Sequence, residues 1–235
     1  HRIAYLLASR QATPFNILAV TFTNKAAGEM RARVARLLDN DPQNRGFMPF
    51  MGTFHSICVR ILRRDGEAVG IPSNFVIWDE ADRLAAVKQA AKSLSVDEKK
   101  YPARLLTSLI SSAKNEMVGP SEFAQTAASP AGKVAAKVFV AYEDLLKKNN
   151  ALDFDDLIGR AVKLLKSQRD IRRRWQAGFR YVMIDEYQDT NTAQYQLVKL
   201  LTGSHNNLAV CGDDWQSIYM WRGADYHNIL NFETD

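Results

Sequence analysis

The chain reads as an α/β protein whose parallel sheet is interrupted by a long helical insertion, and three observations carry that reading. Residues 17–20 and 181–184 are short, continuously apolar runs of the kind that form strands buried on both faces. Each is followed by a helical pattern, and strands alternating with helices imply parallel pairing. Between about Ile57 and Trp175 the periodicity is helical almost throughout.

Residues 2–10 carry Ile3, Leu6 and Leu7 at helical spacing. The turn signal Thr13-Pro14 precedes the first strand, after which Thr23 or Asn24 caps a helix with Ala27, Met30, Val34 and Leu37 or Leu38 on one face. A second strand is expected at 47–51, ending in Gly52-Thr53-Phe54-His55-Ser56, with helix from Ile57. In the insertion, amphipathic segments at 81–94 and 135–147 stand between Pro72, Pro102, Pro120 and Pro130, and only Phe75-Val76-Ile77-Trp78 looks extended. Strands return at 181–184 and 207–211, with a helix at 192–201 stopped by Gly203. The expected organisation is a sheet domain in two parts, 1–57 and 176–235, around a helical insertion at 58–175.

A chain of 235 residues has room for one large domain or two small ones, and its 46% hydrophobic content is ordinary for a globular protein. No run approaches the ~20 apolar residues of a membrane span, and His1-Arg2-Ile3-Ala4-Tyr5 lacks a secretory layout. A cytoplasmic protein without membrane contacts is expected. Cys58 and Cys211 sit in apolar contexts without metal-ligand spacing, so both are expected to be buried reduced thiols. From Lys25 to Arg64 there are eight basic residues against three acidic ones, an excess equal to the net charge of +5. A solvated helix face accounts for part of this, and a basic segment around Phe22 and His55 also suits a phosphate backbone.

The chemistry concentrates in Val182-Met183-Ile184-Asp185-Glu186-Tyr187-Gln188-Asp189-Thr190, an apolar strand that delivers an acidic pair into a polar loop. Such a pair suits phosphoryl transfer: one carboxylate holds the Mg²⁺ that bridges the phosphates, and its neighbour positions or deprotonates water. An isolated Asp-Glu pair is as readily a solvated turn. Asp-Glu-Tyr-Gln-Asp-Thr, however, resembles the signature of superfamily 1 DNA helicases of the UvrD, Rep and PcrA type. Three further segments resemble that family in order: Val20-Thr21-Phe22-Thr23-Asn24-Lys25-Ala26-Ala27-Gly28-Glu29-Met30, Gly52-Thr53-Phe54-His55-Ser56, and Cys211-Gly212-Asp213-Asp214-Trp215-Gln216-Ser217-Ile218-Tyr219-Met220-Trp221-Arg222-Gly223-Ala224.

The resemblance implies a RecA-like (P-loop NTPase) sheet with helices on both faces. It implies an ATP-dependent helicase that moves 3′ to 5′ on single-stranded DNA, acting at single-strand/duplex junctions in repair or replication restart. ATP and Mg²⁺ are the implied cofactors, with Asp185 on the metal, Glu186 beside it and Gln216 reading the γ-phosphate. Phe22, Tyr219 and Trp221 would stack on bases, with Arg222 in support. Thr23, Asn24 and Lys25 would reach phosphates, and Thr53 and His55 the strand backbone. Trp215 stands where many relatives have an acidic or small residue. Leu152-Asp153-Phe154-Asp155-Asp156-Leu157 also matches the family, as a structural segment, so it is assigned no metal and is expected to cap a helix running to Leu165.

No Gly-x-x-x-x-Gly-Lys-Ser/Thr loop occurs in the 235 residues, since Gly132-Lys133 is followed by Val134 and lacks the upstream glycine. The resemblance places that loop just before the first helix, so the chain is expected to start past it and to be inactive alone. The strand leading to the loop would leave a gap inside the sheet. Two other readings stand beside this one: the motor of a recombination helicase-nuclease, and a non-catalytic single-strand-binding or protein-docking module. Protein partners are not specified by the sequence.

Overall fold

The computed structural model describes residues 1–42, 44, 46–216, 225, 227–230 and 232. In chain order, α1 (Arg2–Ala8) leads to β1 (Ile17–Thr21), α2 (Asn24–Leu37), β2 (Met51–Thr53) and α3 (Phe54–Asp65). Next come β3 (Val76–Trp78), α4 (Glu80–Ser93), α5 (Ala103–Asn115), α6 (Pro120–Thr126), α7 (Pro130–Lys148), β4 (Ala151–Asp153) and α8 (Phe154–Ser167). The chain continues through α9 (Arg169–Gly178), β5 (Tyr181–Ile184), α10 (Thr192–Thr202), β6 (Leu208–Val210) and α11 (His227–Leu230). It forms two compact units, residues 1–61 with 162–235, and residues 62–161. No helix among the described residues is long and apolar enough to cross a membrane.

The first unit is built on a parallel sheet of order β2-β1-β5-β6. All five residues of β1 are buried, so both of its faces are covered. On one face Ile17 and Ala19 pack with Ile3 and Leu6 of α1 and Val34 of α2. Thr23 is the cap of α2: its hydroxyl accepts from the Ala26 N–H at 3.1 Å, a contact worth about 1 kcal/mol in such helices. Gly203 ends α10 at φ 57°, a conformation that glycine adopts without a Cβ clash.

Several expectations need correction. The second strand begins only at Met51, because Phe47 and Met51 donate back to Asn44 and Met48 in tight turns around Pro49, which has no N–H for a ladder. The helix after it starts at Phe54, three residues early. Among the described residues β1 and β5 are bonded on both sides, and β2 and β6 are the edges of the sheet, so a strand absent from the sequence would have to add beside one of those edges. Helix α9, read as part of the insertion, belongs to the sheet unit. Trp175 and Phe179 hold their rings 6.1 and 4.9 Å from that of Phe50, and Gln176 donates to the Leu200 carbonyl at 2.8 Å.

In the second unit α4, α5 and α7 enclose Val87, Ala90, Leu106, Ile110, Ala135, Val138, Phe139 and Tyr142. Pro120 and Pro130 stand at helix boundaries as expected and open α6 and α7, at a position where the missing N–H costs nothing. The extended bit at Val76 is a strand that pairs in parallel with β4, which the sequence did not reveal. Three residues are too few to show a period.

The acidic segment at 153–156 is organised around a buried lysine. Lys114 Nζ lies 2.7 Å from Glu143, 2.9 Å from Asp153 and 3.0 Å from Asp156, and Arg160 also contacts Glu143 and Asp156. Asp153 caps α8 by accepting from the Asp156 N–H at 2.8 Å, and it also receives the Tyr142 hydroxyl. The helix it caps runs to Ser167, past the expected Leu165. Arg83, Ser111 and Asn115 hold Asp155. Burial pulls Lys114 down, but Asp156, Asp153 and Glu143 outweigh it and keep the ammonium above the ordinary lysine value. Burial raises Asp153, and Lys114 with the other donors more than reverses this, leaving it below the usual carboxylate range.

Candidate active site

Four loops leave the carboxyl ends of the four parallel strands along one edge of the sheet. Open α/β sheets bind their ligands in the crevice outside those ends. Phe22 follows β1, Thr53 ends β2, Asp185 and Glu186 follow β5, and Cys211 to Gln216 follow β6. The backbone continues the register past the strands: the Asp185 N–H donates to Val20 O, the Cys211 N–H to Ile184 O and the Tyr187 N–H to Cys211 O, each at 2.9 Å. The acidic pair is therefore pinned between the exits of β1 and β6.

Asp185 is half-buried, and burial followed by repulsion from Glu186 lifts its carboxyl above the usual range, against hydrogen bonds from the Glu186 N–H and the Cys211 side chain. Glu186 is exposed and left-handed, at φ 56° and ψ 43°. A non-glycine residue in that region costs about 1 to 3 kcal/mol and is held there by its surroundings. It turns the chain into the 3₁₀ turn Tyr187–Asp189, so that Gln188 folds back under it. Fully buried Gln188 donates to Glu186 Oε2 at 2.8 Å and accepts from the Asp213 N–H at 3.1 Å. Asp213 in turn accepts from Gln216 Nε2 at 2.7 Å. One hydrogen-bonded path thus joins Glu186 to Gln216.

The whole chain, residues 1–235, matches the UvrD/REP helicase N-terminal domain. It is 48% identical over its full length to the ATP-dependent DNA helicase PcrA of Bacillus subtilis (strain 168). It is 47% identical to PcrA of Staphylococcus epidermidis (strain ATCC 12228 / FDA PCI 1200) and 46% identical to PcrA of Staphylococcus aureus (strain COL). The chain belongs to the UvrD/REP helicase family. It spans 31% to 32% of the length of these relatives. The sheet unit is the RecA-like part of this UvrD/REP domain.

Among the described residues no group of three or more acidic, histidine or cysteine side chains could hold a metal by itself. Asp185 and Glu186 instead fit Mg²⁺ that arrives on nucleotide phosphates, since that ion keeps waters and takes only one or two carboxylates from such proteins. The charge of a cation would also relieve the repulsion that raises Asp185.

The residues expected to meet DNA are placed unequally. Phe22 is half-buried, edge-on to Phe54 at 5.7 Å, while Thr23, Asn24 and Lys25 are exposed at the start of α2. Thr53 is buried, and its hydroxyl accepts from the Ser56 N–H at 3.3 Å as the cap of α3. His55 is half-buried, and burial lowers its pKa, which favours the neutral ring. Tyr219, Trp221 and Arg222 lie outside the described residues. Much of the basic run serves the fold: Arg31 bonds Met51 O, Arg60 stands over Phe50, and Arg63 covers the Phe75 ring at 4.0 Å. Cys58 is buried as expected, but Cys211 is exposed, because β6 ends one residue before it. Gln188 and Asp213 received no role from sequence. A buried amide within the acidic motif is the only signal that could have marked Gln188.

Proposed function

We propose that this chain is the nucleotide- and DNA-contacting portion of an ATP-dependent helicase that moves 3′ to 5′ on single-stranded DNA and separates strands at duplex junctions. The observation that carries this is the Glu186–Gln188–Asp213–Gln216 path at the same sheet edge that bears Phe22. Asp185 would hold the divalent cation that accompanies the phosphates, and Glu186 would orient the attacking water and take its proton. Gln216 contacts the γ-phosphate. Mg²⁺, when bound with ATP, neutralises charge that develops on the phosphoryl group. Phe22 offers a ring to bases, Asn24 and Lys25 contact phosphates, and Tyr219, Trp221 and Arg222 extend this grip. The exposed hydroxyl-bearing Thr23 joins the phosphate contacts, and Thr53 and His55 line the path where β2 ends. The PcrA names and the match over the whole chain favour this reading over a non-catalytic module.

Two measurements test it. The 235-residue polypeptide contains no phosphate loop, so backbone N–H groups and a lysine to cradle the β- and γ-phosphates are missing from it. A phosphate-release assay is expected to show no DNA-stimulated turnover from this polypeptide and clear turnover from the full-length gene product. Turnover by the polypeptide comparable to the full-length protein would refute the assignment of the phosphate site.

Fluorescence anisotropy with labelled single-stranded DNA is expected to show weak binding by the polypeptide that declines steeply between about 50 and 200 mM salt. Phe22→Ala is expected to remove on the order of 1 to 3 kcal/mol of the binding energy. Affinity indifferent both to salt and to Phe22→Ala would overturn the proposed DNA path.

A further inference from the structure

We infer that Gln188 is a positioning residue that sets the water-orienting carboxylate and the γ-phosphate-reading loop in register, so that the state of the nucleotide reaches the DNA-gripping segment. This rests on the reading of Asp185, Glu186 and Gln216 as the nucleotide site. Its side-chain amide is bound at both ends: Nε2 donates to Glu186 and Oε1 accepts from the Asp213 N–H. The residue is wholly buried although it is polar, and neither contact caps a helix or completes a sheet. Gly212 has the complementary form. A Cβ there would collide with Gln188 Oε1 and crowd the Tyr187 N–H at 3.2 Å, so only glycine lets the β6 loop approach this closely.

The same turn holds the chain on the far side of residues 217–224. The Asp225 N–H donates to Thr190 O at 3.0 Å, Asn228 Nδ2 donates to Thr190 O and Oγ1, and Phe232 meets the Tyr187 ring at 5.8 Å. Both flanks of the segment bearing Tyr219, Trp221 and Arg222 are therefore fastened to residues 187–190. A displacement of Asp213 when Gln216 gains or loses a phosphate contact is opposed or passed on at Gln188. Glu186, left-handed and exposed, accepts from Gln188, which ties its carboxylate to the position of that amide.

The test uses the full-length gene product with Gln188→Met, which keeps the shape and removes both hydrogen bonds. Gln188→Glu keeps the acceptor for Asp213 and repels Glu186, and Gly212→Ala keeps the Gln188 amide but sets a Cβ against its Oε1, so that the amide and the loop cannot keep their spacing. Per nucleotide-binding site, all three are expected to lower DNA-stimulated kcat by about 10- to 100-fold, as small misplacements of reacting groups do. KM for ATP and the nucleotide-free Kd for single-stranded DNA should stay within about twofold of wild type. The change in DNA Kd produced by a non-hydrolysable β,γ-imido ATP analogue should vanish in Gln188→Met. That linkage is read on bound molecules, so a merely lowered folded fraction leaves it unchanged. If Gln188→Met does not fold, the other two variants carry the test alone. Wild-type linkage, or kcat within threefold of wild type, in the folded variants overturns the inference. Absence of DNA-stimulated hydrolysis in the wild-type protein overturns the nucleotide-site reading instead.

Discussion

Glu186→Gln in the full-length gene product is expected to reduce DNA-stimulated ATP hydrolysis by roughly 10²- to 10⁴-fold, the range removed with a positioned general base. The substitution keeps the size of the side chain and its ability to accept from Gln188 at Oε1. It removes the charge that, in the proposed role, draws a proton from water. Nucleotide and DNA affinities should survive, because Asp185 keeps the metal contact and the Phe22 loop is untouched. Loss of the neighbouring negative charge should also let Asp185 fall back toward the usual carboxylate range, since Glu186 is the second cause of its elevation after burial. Steady-state hydrolysis measured beside equilibrium DNA binding checks this. Turnover within threefold of wild type would remove Glu186 from the reaction.

The second large effect concerns the helical unit. Lys114→Met is expected to destabilise it by about 3 to 5 kcal/mol in urea unfolding, because Asp153 and Asp156 would remain buried without their shared counter-ion. The pH dependence has a definite sign. With Lys114 present, Asp153 is held below its unfolded pKa, so its contribution is present above the ordinary carboxylate range and lost as pH falls through the lowered value. Asp156 is already lifted to about 7 by burial with the lysine present, and without the lysine burial lifts Asp153 above its unfolded value as well, so the folded variant binds more protons than the folded wild type. The raised Asp156 favours the fold in both proteins as pH falls from 8 towards about 5, and the variant should gain more than the wild type over that window, because only in the variant is Asp153 raised too. A loss below about 1 kcal/mol, or a variant that weakens on acidification, would show that Lys114 does not neutralise this cluster.

The elements that could be read from sequence are those with a period or a punctuation mark long enough to register. The parallel strands at 17–21 and 181–184 and the helices of the insertion are of this kind, and so is the stop at Gly203. The places of the acidic pair and of Phe22 after strands were legible from the apolar runs, while the roles expected of them came from the family resemblance. Short contacts between distant segments were not. Strand β4 has three residues, and its identity depends on pairing with Val76, 75 positions earlier. Pro120 and Pro130 were legible as breaks between helices, and the structure adds that each is the first residue of the helix that follows.

The amino-acid sequence by itself determined that this is a parallel α/β protein of the UvrD/REP family, with an acidic pair at a strand exit, since apolar runs and motif spacing are properties of the chain alone. Only the tertiary structure decided what those residues touch. It showed that Gln188 joins Glu186 to Asp213, that Lys114 neutralises carboxylates about forty positions away, and that β5 lies between β1 and β6. The reason is physical: a buried polar group must find its partner wherever folding brings one, and sequence distance places no limit on that search.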